Sequence, residues 1–298
     1  MTNFPSSPIQ TFEMQGLKKK TSSGRTIFNG VMTTVASLCM VGTLIPLVLV
    51  LTLVLVRGIG RLDLDLFTQL PPPPGLEGGG IANAILGTLI IVAIATIISV
   101  PFGIMAAIYL SEFSEGSKLA KNVQFATNVL SGVPSIIAGV FIYALLVGSN
   151  LTGFSAVAGG VALAILMLPT IVRTTDEGLK IVPQEVRWAS VGVGASNYQT
   201  VLKVVLPAAT PAIITGITLA IARAAGETAP LIFTALFSQF WPNGIFNPIA
   251  SLAVLVYNFA IVPFEPQQEL AWAGAFILVL LVLATSISAR LATRQRTY

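Results

Sequence analysis

Residues 173–211 read RTTDEGLKIVPQEVRWASVGVGASNYQTVLKVVLPAATP and form the longest polar interruption that follows the N-terminal region. Apolar runs long enough to cross a membrane lie on both sides of this segment. Because charged residues, glycines and amphipathic spacing persist over its whole length, we expect it to lie outside the bilayer and to meet a partner there. The alternative is an ordinary amphipathic loop without a partner.

The composition of the chain is that of a protein embedded in a membrane. Hydrophobic residues make up 54% of its 298 residues and charged residues only 9%, and the mean hydropathy is +0.86. One cysteine, Cys39, and no histidine exclude metal sites built from histidine or several cysteines, Cys/His nucleophiles and intramolecular disulfides. No Gly-Lys dipeptide occurs, so the phosphate loop of many ATPases is absent. We therefore expect no cofactor and no catalytic cluster.

Six apolar runs predict an all-α polytopic membrane protein with six transmembrane helices. The predicted spans are 31–56, 81–110, 123–147, 154–172, 212–236 and 269–289. The first run has 26 residues, whereas the apolar core of a signal peptide has about 7–15, so we interpret it as a retained first span. The loop 57–80 contains PPPPG and EGGG, which favour an exposed extracytoplasmic connection.

Prolines and glycines predict local distortions in the second and third spans. Pro101 and Gly103 are expected to kink or end the regular part of the second span. In the third span, Gly132, Pro134 and Gly139 favour a bend or the close approach of another helix.

The distribution of basic residues predicts that both termini are cytoplasmic. If the tail 1–30 is inside, 13 of the 16 Lys and Arg lie on the cytoplasmic side. The other three are Arg57, Arg61 and Arg223. The apolar segment 249–262 is shorter than the ~20 residues that a span requires. A seventh crossing there would move the basic C-terminal tail 291–298 outside, so we expect a re-entrant or interfacial helix. Basic residues beside span ends also explain the net charge of +4 without nucleic acid.

Helix signals divide the cytoplasmic segment 174–211 into two short helices. Pro183 is suited to the first position of a helix whose first turn contains Glu185, and Ser196 with Gln199 forms an S-x-x-Q capping box. Gly192 and Gly194 are expected to separate the two helices.

This segment also resembles the cytoplasmic signature of ABC importer membrane subunits, which reads E-A-A, three residues, G, nine residues, then I-x-L-P. The residues that match by spacing are Trp188, Ala189, Ser190, Gly194, Val204, Leu206 and Pro207. Trp188 replaces the signature glutamate, whose contact we expect Glu185 or the indole N–H to supply. The resemblance implies that the first helix inserts as a coupling helix into a separate nucleotide-binding subunit, so that the chain itself is not an ATPase.

The run 218–236 contains two charges, Arg223 and Glu227, four residues apart in an apolar span. At ~1.5 Å per residue, Arg223 lies roughly 17 Å beyond Ala212, close to the middle of a ~30 Å hydrocarbon layer. The pair should therefore face a protein interior or an aqueous path. Arg223 offers a fork of donors to a tetrahedral oxyanion, and Glu227 would neutralise the empty site. The alternative is a structural ion pair.

Five motifs resemble the PstA-type permeases of bacterial phosphate ABC importers. They are IANAILGTLI, VLSGVPSIIAGVFIYAL, ILMLPTIVRTT, ARAAGETAPLIFTA and LAWAGAF, and they fall within a permease core at 81–290. The resemblance implies a fold of the type I importer kind and a phosphate path that includes Arg223, Glu227 and Arg173. It also implies three partners: a PstC-type permease, a PstB-type ATPase dimer and an extracytoplasmic phosphate-binding protein.

Two other functions remain open from the sequence. A permease for another oxyanion is compatible with Arg223, because arginine forks also suit sulfate or molybdate. A gradient-driven carrier is the alternative from another class, although the chain has no histidine for a proton relay.

Overall fold

The computed structural model describes residues 24–114 and 117–294, and this part of the chain is helical without any β-strand. The α-helices are α1 (Gly24–Ile59), α2 (Leu64–Thr68), α3 (Ala82–Ile108), α4 (Lys118–Gly132), α5 (Ser135–Ile142), α6 (Ala156–Lys180), α7 (Gln184–Gly192), α8 (Asn197–Thr200), α9 (Leu206–Ala225), α10 (Ala229–Thr234), α11 (Leu252–Ala260) and α12 (Glu265–Arg294). Three π-helical turns, Tyr109–Phe113, Tyr143–Val147 and Val201–Val205, directly continue α3, α5 and α8.

Six membrane crossings fit the helices of the described residues. Five helical segments are long and apolar enough to cross, and the pair α4 and α5, bent by 105°, makes a sixth if it counts as one span. This confirms the predicted all-α polytopic class. The predicted tails fall largely on 1–23 and 295–298, which lie outside the described residues, so the location of the termini stays a prediction.

Residues 24–52 and residues 53–294 form separate units. The first unit consists of α1 up to Thr52, an apolar helix that contains Cys39 and accommodates Pro46 in its interior. The second unit contains the end of α1 and all later helices.

The helix ends differ from the predicted span ends because hydropathy marks only the segment inside the hydrocarbon. Helix α3 continues past Pro101 to Ile108, so this proline does not end it. Helix α6 continues beyond the predicted end at residue 172 to Lys180. The fifth candidate span begins at Asn197 rather than at Ala212.

The predicted fifth span, 212–236, is not one continuous helix. Helix α9 ends at Ala225, and the separate short helix α10 begins only at Ala229. Pro230 explains the break, because a proline lacks the amide donor and its ring clashes with the carbonyl four residues earlier, which here belongs to Gly226. The helix is therefore interrupted between these two residues.

Segment 249–262 contains a helix too short to span a membrane. Helix α11 has nine residues, or about 14 Å of helix at 1.5 Å per residue. Ser251 caps its N-terminus, and the amide of Leu252 donates to Oγ1 of Thr88 on α3 at 2.8 Å. This agrees with the prediction that the segment makes no seventh crossing.

Helix α6 is the centre of the second unit. It packs along α3 and along α9, and residues of these helices and α10 form a shared core. The approach of α9 to α6 depends on a missing side chain, since Gly216 lies against Thr174 with no room for a β carbon. Small residues at helix contacts are the usual means of close packing in membranes.

Candidate substrate path and coupling site

The break between α9 and α10 places Arg223 and Glu227 beside each other. Arg223 lies in the last turn of α9, and Glu227 follows the Gly226 cap, where its amide donates to the carbonyl of Ala224 at 3.2 Å. Nε of Arg223 lies 3.5 Å from Oε1 of Glu227. The predicted ion pair is therefore present, although Glu227 stands just beyond the helix instead of within it.

The two members of this pair differ in exposure. The side chain of Arg223 is 63% exposed, whereas that of Glu227 is 17% exposed. Together they line a narrow cleft of about 10 Å³ with Met167 and Thr170 of α6. An arginine in an apolar span must face protein or water. In the single chain this guanidinium is left accessible at the surface.

Arg173 lies on α6 one turn beyond Thr170, and it does not line this cleft. Its Nε is 3.9 Å from Oε1 of Glu177, and both side chains are about two-thirds exposed, at 64% and 68%. Within the described chain, the three residues predicted for the substrate path are thus divided between two ion pairs.

The third predicted span bends where its glycines and proline indicated. Helix α4 ends at Gly132, Pro134 caps α5, and one turn later Gly139 packs against Pro230 of α10. The two segments LSGVPSI and GETAPL therefore meet through a contact between two broken spans. The close approach of another helix was predicted at Gly139, but nothing in the sequence indicated that Pro230 would be the residue in contact.

Helix α7 begins after Pro183 and ends at Gly192, close to the prediction for the first short helix. Glu185 lies in its first turn and is exposed, as is Ala189. The indole of Trp188 is 65% exposed. Both side chains proposed to replace the signature glutamate are therefore accessible to a partner.

A tight turn joins α7 to the helix that follows. Gly194 has φ +92°, a conformation that side-chain-bearing residues rarely adopt, and its amide donates to the carbonyl of Val191 at 2.9 Å. The predicted capping box is present, because the hydroxyl of Ser196 accepts from the amide of Gln199 and the Gln199 side chain accepts from the amide of Ser196. Gly192 belongs to α7, so Gly194 alone supplies the left-handed turn.

The prediction of a second short helix is wrong, because α8 continues into the fifth span. The π-helical turn Val201–Val205 joins α8 to α9, which begins at Leu206. Pro207 accounts for the π-helical turn, since its ring cannot be accommodated above the carbonyl of Lys203 in a regular α-helix. Leu206 and Pro207 of the signature thus mark the end of this turn.

Two side chains of α7, Ser190 and Arg187, make polar contacts with the rest of the second unit. Oγ of Ser190 lies 2.9 Å from Oγ1 of the buried Thr200. Arg187 forms an ion pair with Glu112 and also donates to the carbonyl of Leu179 at 2.7 Å. The side chain of Arg187 thus points inward and is only 14% exposed. Glu112 was missed because it lies 75 residues away along the chain.

Comparison with known proteins identifies the family. A family model described as binding-protein-dependent transport system inner membrane component matches residues 99–297. The phosphate transport system permease protein PstA of Yersinia pestis is 45% identical over 78% of this chain and 79% of its own length. The chain belongs to the PstA family of phosphate transport system permeases. Membership in the PstA family makes it a multi-pass protein of the inner membrane.

Other PstA proteins match nearly the whole chain. PstA of Pasteurella multocida is 40% identical over 90% of this chain and 95% of its own length. PstA 1 of Mycobacterium tuberculosis is 35% identical over 91% of this chain and 92% of its own length. Their similarity therefore extends over the regions that contain both the charged pair and α7.

Solved ABC transporters share the fold of this PstA-family chain. A chain of the MetNI methionine transporter in an inward-facing conformation has a TM-score of 0.61 at 20% identity, covering 73% of this chain and 96% of the other. A bacterial alginate ABC transporter has a TM-score of 0.64 at 13% identity, covering 90% and 95%. At these identities the likeness shows the type I importer permease fold alone.

Proposed function

We propose that this chain is the PstA-type permease subunit of an ATP-driven importer that carries inorganic phosphate across the cytoplasmic membrane. The observation that carries the proposal is the 45% identity to a phosphate permease over 78% of the chain. The charged pair at the break after α9 and the accessible helix α7 supply the two features such a subunit needs. The charged pair binds the anion, and α7 binds the ATPase.

Arg223 is the phosphate-binding residue of this proposal. Its planar guanidinium can donate two parallel hydrogen bonds to a tetrahedral oxyanion, and an apolar surrounding strengthens that contact. Glu227 holds the guanidinium at 3.5 Å when no anion is present and repels the anion when it is bound. Binding is therefore weak enough for phosphate to move on.

A second permease of the PstC type completes the path. This is supported by the Arg223 side chain, which is 63% exposed on the single chain. A charged side chain exposed to lipid is energetically costly, so a second protein should cover it. The adjoining cleft of about 10 Å³ is too small for a phosphate ion. Walls from a second subunit would enclose both the guanidinium and the passing anion. Arg173 contributes to the same path nearer the cytoplasmic end of α6.

A PstB-type ATPase dimer supplies the energy through α7. Four large apolar side chains of α7 and the following turn are accessible, with Val186 41%, Trp188 65%, Val191 47% and Val193 88% exposed. A partner that buries these side chains gains hydrophobic contact energy. The chain is thus a transport component, and the ATPase site belongs to the partner. An extracytoplasmic phosphate-binding protein delivers the anion to the other side.

Uptake in cells tests the proposed substrate. A bacterial strain that lacks its own PstA-type permease is complemented with this chain, and uptake of radiolabelled phosphate is measured at low external phosphate. Competition by excess sulfate or molybdate distinguishes the oxyanions. We expect restored uptake that unlabelled phosphate abolishes and sulfate leaves unchanged. Restored uptake of sulfate or molybdate without phosphate uptake would assign the chain to another oxyanion.

A further inference from the structure

Arg187 joins the coupling helix α7 to the ends of two spans. Its guanidinium forms an ion pair with Glu112, which lies in the π-helical turn at the end of α3. Nη2 of Arg187 also donates to the carbonyl of Leu179, in the last turn of α6, at 2.7 Å. The two side chains of the pair are 14% and 7% exposed, so the contact is largely shielded from water.

Apolar packing contributes little to the attachment of α7. None of the residues of α7, all of which the structure describes, is buried. A cavity of about 790 Å³ lies beside α7 and is lined by Ser111 and Glu112 after α3 and by Lys180 at the end of α6. Force on α7 is therefore transmitted by its chain connections and by its polar contacts.

The chain connections of α7 lead to only two of the neighbouring spans. Residues 181–183 join it to α6, and residues 193–196 join it to α8 and so to α9. Helix α3 precedes α7 by many residues and has no such connection. The Glu112–Arg187 pair is thus a direct noncovalent route from α7 to the end of α3.

We propose that the Glu112–Arg187 ion pair transmits the movement of α7 to α3 and α6, and so couples ATP hydrolysis to opening of the path. The proposal rests on the proposed function of α7 as the helix that docks the ATPase. Glu112 and Arg187 are positioning residues, because they contact neither phosphate nor ATP. When the ATPase displaces α7, the pair carries the end of α3 with it. Without the pair, α7 moves relative to α3.

The chemistry of the contact favours this role over a purely stabilising one. A largely buried ion pair costs desolvation free energy, and an apolar pair of similar volume is often as stable. The arginine fork, however, reaches two acceptors on two different helices at once, which a lysine ammonium cannot do with the same geometry. Oγ of Ser111 donates to the second carboxylate oxygen of Glu112 at 3.2 Å, which further fixes the acceptor.

The test compares Glu112→Gln, Arg187→Gln and the double variant in the reconstituted importer with its partner permease, ATPase and binding protein. Lys180→Gln is the matched control, because Lys180 lines the same cavity but pairs with Asp176 inside α6 at 2.6 Å. Three quantities are measured: co-purification of the ATPase, ATP hydrolysis, and phosphate transported per ATP hydrolysed. Single removal leaves a buried charge unpaired, whereas the double variant leaves none.

We expect the double variant to retain ATPase binding and hydrolysis while phosphate transported per ATP falls about tenfold, a loss within the range for contacting residues. In each single variant, phosphate transported per ATP should fall at least as much as in the double variant. Lys180→Gln should transport as much phosphate per ATP as the wild type. If the singles fail to assemble, the double variant decides. A wild-type ratio in the double variant overturns the proposal. Failure of the proposed function itself differs, since the wild-type chain would then show no ATP-dependent phosphate uptake.

Discussion

Gly139 of α5 lies so close to Pro230 of α10 that a β carbon at residue 139 would stand 2.6 Å from the Cα of Pro230. This contact joins the two interrupted spans of the second unit, one bent by 105° after α4 and the other broken after α9. Pro230 follows Glu227 by three residues. The position of the charged pair thus depends on how closely α5 can approach α10.

Gly139→Ala should lower both stability and transport, because the added methyl group must displace the backbone at Pro230. Overpacking of this kind costs about 1–3 kcal/mol. Thermal unfolding of the purified protein and phosphate uptake are the measurements. Gly132→Ala is the matched control, since a β carbon at residue 132 meets no atom within 4 Å. Equal effects of the two substitutions would contradict the role of the Gly139–Pro230 contact.

Arg223→Gln should abolish phosphate uptake while leaving assembly with the partner permease and the ATPase intact. The substitution removes a charged donor whose hydrogen bonds contribute about 1.5–3 kcal/mol each, so we expect uptake to fall at least about tenfold. Arg223→Lys keeps the charge but loses the fork of donors. Its phosphate uptake should therefore lie between that of the wild type and that of Arg223→Gln. Uptake is measured in vesicles, and assembly by co-purification.

Arg173→Gln distinguishes the contribution of the Arg173–Glu177 pair to phosphate uptake from that of the Arg223–Glu227 pair. Its partner Glu177 is equally exposed, and Arg173 does not line the cleft beside Arg223. We therefore expect a smaller loss of uptake than for Arg223→Gln in the same vesicle assay. Normal uptake by Arg223→Gln, with loss in Arg173→Gln, would move the anion contact away from the break after α9.

Gly194→Val should uncouple ATP hydrolysis from transport. Gly194 has φ +92°, and a residue with a side chain is strained there by roughly 1–3 kcal/mol. The turn would rearrange and shift α7 relative to α8. Gly192→Ala is the control, because Gly192 is helical and a β carbon there also meets no atom within 4 Å. Phosphate transported per ATP is measured, and a wild-type ratio in Gly194→Val would refute the requirement for this turn.

Trp188→Ala should weaken binding of the ATPase. The indole is 65% exposed on α7, and truncation of an aromatic residue at the centre of an interface typically costs about 2 kcal/mol, or roughly 30-fold in affinity. Trp241→Ala is the control, since Trp241 lies after α10 and is 48% exposed. Affinity of the ATPase for the permease pair is the measurement. Unchanged affinity in Trp188→Ala would place the docking contact elsewhere.

Local signals in the sequence predicted much of the structure of the segment 174–211. The Ser196 and Gln199 capping box, the start of α7 after Pro183 and the turn near Gly194 all follow from residues within a few positions of each other. Such signals act through the backbone of their own neighbours, so they survive in the folded chain. The broad class and the bend in the third span were predictable for the same reason.

Other features depend on contacts between distant parts of the chain. The Glu112–Arg187 pair joins residues 75 positions apart, and nothing near either residue indicates its partner. The break before Pro230 was underestimated because apolar residues continue on both sides of it and hydropathy does not detect missing hydrogen bonds. The extension of α6 to Lys180 was missed because a helix can continue beyond the hydrocarbon layer.

Phosphate accumulation by the purified importer in sealed vesicles tests the central claim most directly. The chain is reconstituted with its partner permease, the ATPase and the phosphate-binding protein, and labelled phosphate is followed with and without ATP on the ATPase side. Phosphate should accumulate only when ATP and the ATPase are both present, and an ionophore that collapses ion gradients should leave uptake unchanged. Uptake that persists without the ATPase and stops with the ionophore would contradict the account and identify a gradient-driven carrier.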